Sequence, residues 1–128
     1  MSASMRSSAI VVAVAAAVAL AIWAVARLAG VDLTVQIGQE PRRVGAVDVL
    51  VAILLAGLAA RVVHLLLTRR PRTARWWPFI GSTGIAISML GPSYLADGAA
   101  GVALIGMHLA VGYVLIAGFA KLVPRQAP

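Results

Sequence analysis

From Ile10 to Ala29 the chain reads IVVAVAAAVALAIWAVARLA, with Arg27 as its only charge. Three more apolar runs follow: about Ala46 to Leu67 (AVDVLVAILLAGLAARVVHLLL), Trp77 to about Leu95 (WPFIGSTGIAISMLGPSYL) and roughly Ala99 to Leu122. A helix of about 20 apolar residues crosses the hydrocarbon of a bilayer, and no sustained polar face interrupts these runs. They predict four transmembrane helices, at about 10–29, 46–67, 77–95 and 99–122, in one antiparallel bundle. The expected fold class is an all-α membrane protein with a single membrane domain over residues 1–128. Pro124 should end the last helix, and Gly91-Pro92-Ser93 should kink or end the third.

A cleaved leader is the rival reading of the first run, since Ala24-Val25-Ala26 has the small-x-small form of a cleavage site. The run is longer than the 7–15 residues of a typical leader core, and Arg6 is the only charge before it, so retention is expected.

The connections set the direction. TRRPRTARWW, residues 68–77, carries Arg69, Arg70, Arg72 and Arg75 with no acid; Arg6 precedes the first span, and Lys121 and Arg125 close the last. Acidic residues lie on the other side, with Asp32 and Glu40 beside Arg42 and Arg43 in one loop and Asp97 in the other. The positive-inside rule then puts both termini and the arginine loop in the cytoplasm, with the protein multi-pass in the plasma membrane. Trp76 and Trp77 fit the interfacial belt.

Composition changes little in this picture. Of the 128 residues 62% are hydrophobic and only 12% charged, too few to cover a soluble domain of this length. The net charge of +7 suggests nucleic acid until its placement is considered: the charges occupy short connections, and no basic domain exists to follow a duplex. The lone lysine against ten arginines reads as a GC-rich genome. Without cysteine there can be no disulfide, thiolate metal site or iron–sulfur cluster.

Small residues mark where helices approach in lipid. Gly81, Gly84, Ser88 and Gly91 share one face of the third span; Gly101, His108 and Gly112 share one of the fourth; Ala13, Ala17 and Ala21 make a stripe on the first. Folding back about Asp97–Gly98 brings Ser88 level with His108 near mid-membrane. A hydrogen bond between them, worth about 0.6–2 kcal/mol, would make His108 interhelical glue. The second reading of His108 is functional, as for any intramembrane ionisable group. The same arithmetic pairs Arg27 with Asp48 as a structural ion pair near the outer edge, with snorkelling of Arg27 to the headgroups as the alternative. Arg61 and His64, toward the cytoplasmic end of the second span, are expected to reach for anionic lipid headgroups, as are Arg69, Arg70, Arg72 and Arg75.

Two histidines invite a bis-histidine haem, but His64 and His108 differ in depth by about 15 Å at 1.5 Å per residue. A haem with a single histidine ligand stays open, and no enzymatic constellation can be assembled. The first outer loop, VDLTVQIGQEPRRVG, alternates at Val31, Leu33 and Val35 and should form a short hairpin or lie across the outer mouth. With the GPS segment it would shape a shallow outward-facing cavity above His108.

ARLAGVDL after the first span, LLAGLAARVV in the second, the arginine loop leading to WW, SMLGP closing the third and MHLAVGYVLI in the fourth occur in a specific order. Together they resemble a family of actinobacterial four-helix integral membrane proteins known as a domain of unknown function. The resemblance covers nearly the whole chain and implies a fold and a location; it also implies that His108, GVDL and LGP recur in the family. It assigns no catalytic residue.

The expectation is therefore a non-catalytic accessory or structural membrane component whose first partner is the bilayer. Its small-residue faces are compatible with a homo-oligomer or a membrane-protein partner. A small transporter or channel-like protein, with an outward-facing pocket at His108 and Ser88, comes second. A haem- or quinone-binding redox accessory comes third.

Overall fold

The structure is a computed structural model that describes residues 2–122. Its elements in chain order are α1 (Ala3–Leu28), β1 (Thr34–Ile37), β2 (Glu40–Arg43), α2 (Ala46–Thr68), α3 (Pro71–Ala74), α4 (Trp77–Ser88), α5 (Leu90–Leu95) and α6 (Gly98–Ala120). The chain is mostly helical, and α1, α2 and α6 are long and apolar enough to cross a membrane.

The third predicted span is divided. It forms α4 and α5, separated at Met89. Pro92 has no N–H to give the carbonyl of Ser88, four residues before it, and its ring crowds that carbonyl. The break falls at that carbonyl, one turn ahead of the proline. Three membrane-length helices, rather than four continuous ones, are thus present among the described residues.

Helix α1 starts about seven residues before its apolar run. Ser2 caps it, accepting from the Met5 N–H at 3.2 Å, and the polar turn through Arg6 is helical because its end is capped. At the other end Gly30 takes φ +77°, the Gly30 N–H bonds to the Arg27 carbonyl and the Val31 N–H to that of Ala26. This is the Schellman ending, which requires the left-handed region that glycine enters freely.

The outer loop takes the first of its two expected forms, a hairpin, an addition to the all-α expectation. Strands β1 and β2 are antiparallel, with Thr34 opposite Arg43 and Ile37 opposite Glu40. Only Gly38 and Gln39 connect them, and Gly38 takes φ +66°, the positive first position of a two-residue turn. Leu33 anchors the hairpin: it is fully buried among Ala26, Ala96, Ala100 and Leu104, at the joined ends of α1, α5 and α6. The Trp23 indole N–H donates to the Val44 carbonyl at 3.1 Å and ties α1 to the hairpin's exit.

The long helices form a curled row, α2–α1–α6–α4. Helix α1 packs against both α6 and α2, and α4 packs against α6, whereas α2 barely meets α4. Four glycines set the close approaches. Val12 of α1 fills the space over Gly57 of α2, and Val11 fills that over Gly118 of α6. Between α4 and α6 the fit is reciprocal: Ile116 lies over Gly81, and Ile85 lies over Gly112. Because 81 pairs with 116 and 85 with 112, α4 runs antiparallel to α6 in a fixed register. The predicted alanine stripe is not among these contacts. Ala13, Ala17 and Ala21 are exposed, and α1 buries Ala15, Ala19 and Ala26 instead. Its valines, offering knobs for glycine holes, decide which side turns inward.

Candidate functional site

Where the row fails to close, α2 and α4 leave a cleft floored by α6. Its volume is about 620 Å³, and it runs from Val44 and Asp48 near the hairpin to Val63 and Trp77 near the arginine loop. It extends along α2, α4 and α6 from the hairpin end toward the arginine loop, a longer space than the shallow cup expected beneath the hairpin. The α2 wall is thin, with Ala52, Ala56 and Ala59; on α4, Gly84 has nothing within 4 Å of where a Cβ would stand.

Ser88 and His108 both line this cleft, close in level as the folding-back arithmetic requires. They do not bond to each other. The Ser88 hydroxyl donates to the Ile85 carbonyl at 2.8 Å, and His108 Nδ1 bonds to the Leu104 carbonyl at 2.8 Å. Each side chain has turned back to a carbonyl of its own helix, which is nearer than any interhelical partner. The expected glue is therefore absent, and α4 is held to α6 by the isoleucine–glycine fit and by the Trp77 indole, which donates to the Ile116 carbonyl at 3.0 Å.

Arg27 and Asp48 likewise do not pair. Asp48 lies in the first turn of α2, where its Oδ2 accepts the Gly45 N–H at 2.9 Å and its Oδ1 meets the Arg42 guanidinium at 2.6 Å. A carboxylate there is claimed by its own helix start and by the neighbouring strand, at smaller cost than a reach across to α1. Arg27 lies over the Trp23 ring one turn earlier, 5.4 Å from its centre. Arg43 pairs with Asp32 at 3.4 Å, so the hairpin end is close to charge balance.

His64 departs furthest from expectation. It is only 6% exposed and cannot reach headgroups. Its ring sits edge-on to Trp77, 5.1 Å between centres, and 5.3 Å from Phe119, inside an aromatic cluster joining α2, α4 and α6. Its Nε2 is buried with no hydrogen-bond partner among the described residues. Arg61, on the next turn, is partly exposed, and Arg69, Arg70, Arg72 and Arg75 are all exposed, with Arg75 over the Trp76 ring at 5.8 Å. The cluster went unseen because each member reads as interfacial in isolation. The one available signal was that His64 and Trp77 both stand next to the same short connection.

Among the described residues no group of three His, Cys, Asp or Glu could hold a metal ion. Apolar helices of membrane length and small-residue contacts between them together have the build of a helical membrane protein. The chain belongs to the family of unknown function DUF6069, whose model matches residues 1–125. No curated protein and no solved structure matches it.

Proposed function

We propose that the protein is a non-catalytic accessory component of the plasma membrane that crosses the bilayer four times, with α4 and α5 together as a broken crossing. The observation behind this is the length over which α4–α5 accompanies α6. Trp77 bonds at Ile116 near one end of α6, Gly81 and Ile85 pair along it, and Ala96 meets Gly101 at the other end. If α6 crosses, the chain beside it covers the same depth. A broken helix is tolerated in hydrocarbon where neighbouring protein shields its backbone.

Four crossings put both termini on one face. The exposed arginines of the α2–α4 connection favour the cytoplasmic face for them, and the nearly balanced hairpin favours the outside. Function on this reading is non-covalent and lies in the cleft, whose walls carry the polar side chains Asp48, Ser88 and His108. That favours a role in holding something that arrives within the membrane.

The natural absence of cysteine allows a direct test. Gln39→Cys should react with a membrane-impermeant maleimide on intact cells, whereas Arg70→Cys and Ser2→Cys should react only after permeabilisation. Labelling of Ser2→Cys and Arg70→Cys from opposite sides would reject the four-crossing arrangement.

A further inference from the structure

The hydrogen bonds in the cleft are already committed in one direction. A carbonyl can only accept, so His108 Nδ1 must donate its proton to Leu104, and in the uncharged ring Nε2 is left as an acceptor. Ser88 has given its single hydroxyl proton to the Ile85 carbonyl and retains only lone pairs. The Trp77 N–H is held by Ile116. Asp48 is an acceptor too, but Arg42 at 2.6 Å compensates its charge, so nothing in the cleft calls for a cation. The side chains of the walls present acceptors and no free donor.

His108 is half-buried, midway along α6, and its Nε2 has no hydrogen-bond partner among the described residues. An unmet acceptor at that depth is costly in hydrocarbon, where no water can supply a proton. Lipid tails or an apolar partner helix would fill the space and leave the nitrogen unmet. A molecule with a hydroxyl head satisfies both the apolar walls and the nitrogen, and about 620 Å³ is the size of a small-molecule site.

We propose that the cleft between α2 and α4 binds an uncharged apolar molecule headed by a hydroxyl group, which donates a hydrogen bond to Nε2 of His108. The inference rests on the four-crossing arrangement, which places that nitrogen in mid-membrane. The hydroxyl belongs to a phenol or to a long-chain alcohol; the chemistry at Nε2 is the same for both. The apolar body lies against Ala52, Ala56 and Gly84, where small side chains leave the room.

The full chain in phosphatidylcholine nanodiscs is titrated with 4-nonylphenol, 1-dodecanol and 4-nonylanisole, the methyl ether that has no hydroxyl proton. Trp77 fluorescence reports occupancy, and Trp77→Phe identifies the origin of the signal. At least one hydroxyl probe should bind about tenfold more tightly than the ether, the equivalent of one hydrogen bond in lipid. Whether the phenol, the alcohol or both do so tells the two sources apart. His108→Leu, which loses only a bond within its own helix, should fold and bind all three alike, and His108→Gln, which restores an acceptor, should regain part of the preference.

Equal binding of all three probes by the wild type would overturn recognition of the hydroxyl while leaving the cleft as an apolar site. A preference that survives in His108→Leu would overturn the assignment to that residue. Absence of saturable binding would overturn occupancy of the cleft altogether. The maleimide labelling fails or succeeds independently of all three results.

Discussion

Helix α4 meets its two neighbours in opposite ways. Toward α6 each glycine receives a side chain: Ile116 over Gly81, and Ile85 over Gly112. Toward α2, Gly84 receives nothing, although it lies only one turn from Gly81 on the same helix. Glycine spacing alone does not make an interface. In lipid there is no hydrophobic drive to close a gap, so two helices approach only where a knob on one finds a hole on the other. Along the cleft α2 offers Ala52, Ala56 and Ala59 beside Val49, Ile53 and Val63, none of which reaches the space over Gly84, and the two helices stay apart there.

The largest effect should come from filling a hole that is already occupied. Gly112→Leu forces its side chain into Ile85 and should cost about 3 kcal/mol, the upper end for an overpacked contact. Gly84→Leu points into open space and should stay within about 0.5 kcal/mol of wild type. Thermal unfolding in detergent measures both, and equal losses at the two positions would erase the distinction between the packed and open sides.

A smaller effect of opposite sign is expected at His64, on the packed inner end. Its buried, unpartnered Nε2 carries a desolvation cost of about 1–3 kcal/mol, and phenylalanine would keep the ring contacts with Trp77 and Phe119 without it. His64→Phe should therefore raise stability by about 1 kcal/mol in the same assay. A loss of stability would mean that the nitrogen has a partner in the membrane.

The apolar runs were enough to place α1, α2 and α6, because hydropathy over 20 residues depends on no neighbour. The hairpin was one of two forms the outer loop allowed, and of the alternating Val31, Leu33 and Val35 only Val35 lies in a strand. The split at Met89 was legible only as a kink near Pro92, since the disrupted carbonyl lies a turn ahead of the residue that disrupts it. Side-chain pairing is the least legible feature. Depth arithmetic brought Ser88 level with His108 and Arg27 level with Asp48, but being level is not being partnered. Ser88 and His108 found their own backbones, Asp48 its own helix start, and His64 two aromatic rings. Each of those choices depends on rotation about the helix axis, which small-residue stripes left open: the alanine stripe on α1 faces outward, and Val11 and Val12 face in.

The central claim is that α4 is locked to α6 and open toward α2, and paired cysteines test it in a chain with none of its own. A Cβ at Gly81 would stand 3.9 Å from that of Ile116, close to the separation a disulfide needs. In native membranes under mild oxidation, Gly81→Cys with Ile116→Cys should cross-link within one chain. Gly84→Cys with Ala56→Cys, facing each other across the cleft, should remain reduced. Cross-linking of the second pair as fast as the first would show α2 and α4 closed together along the cleft, beyond their His64–Trp77 contact, and contradict the account.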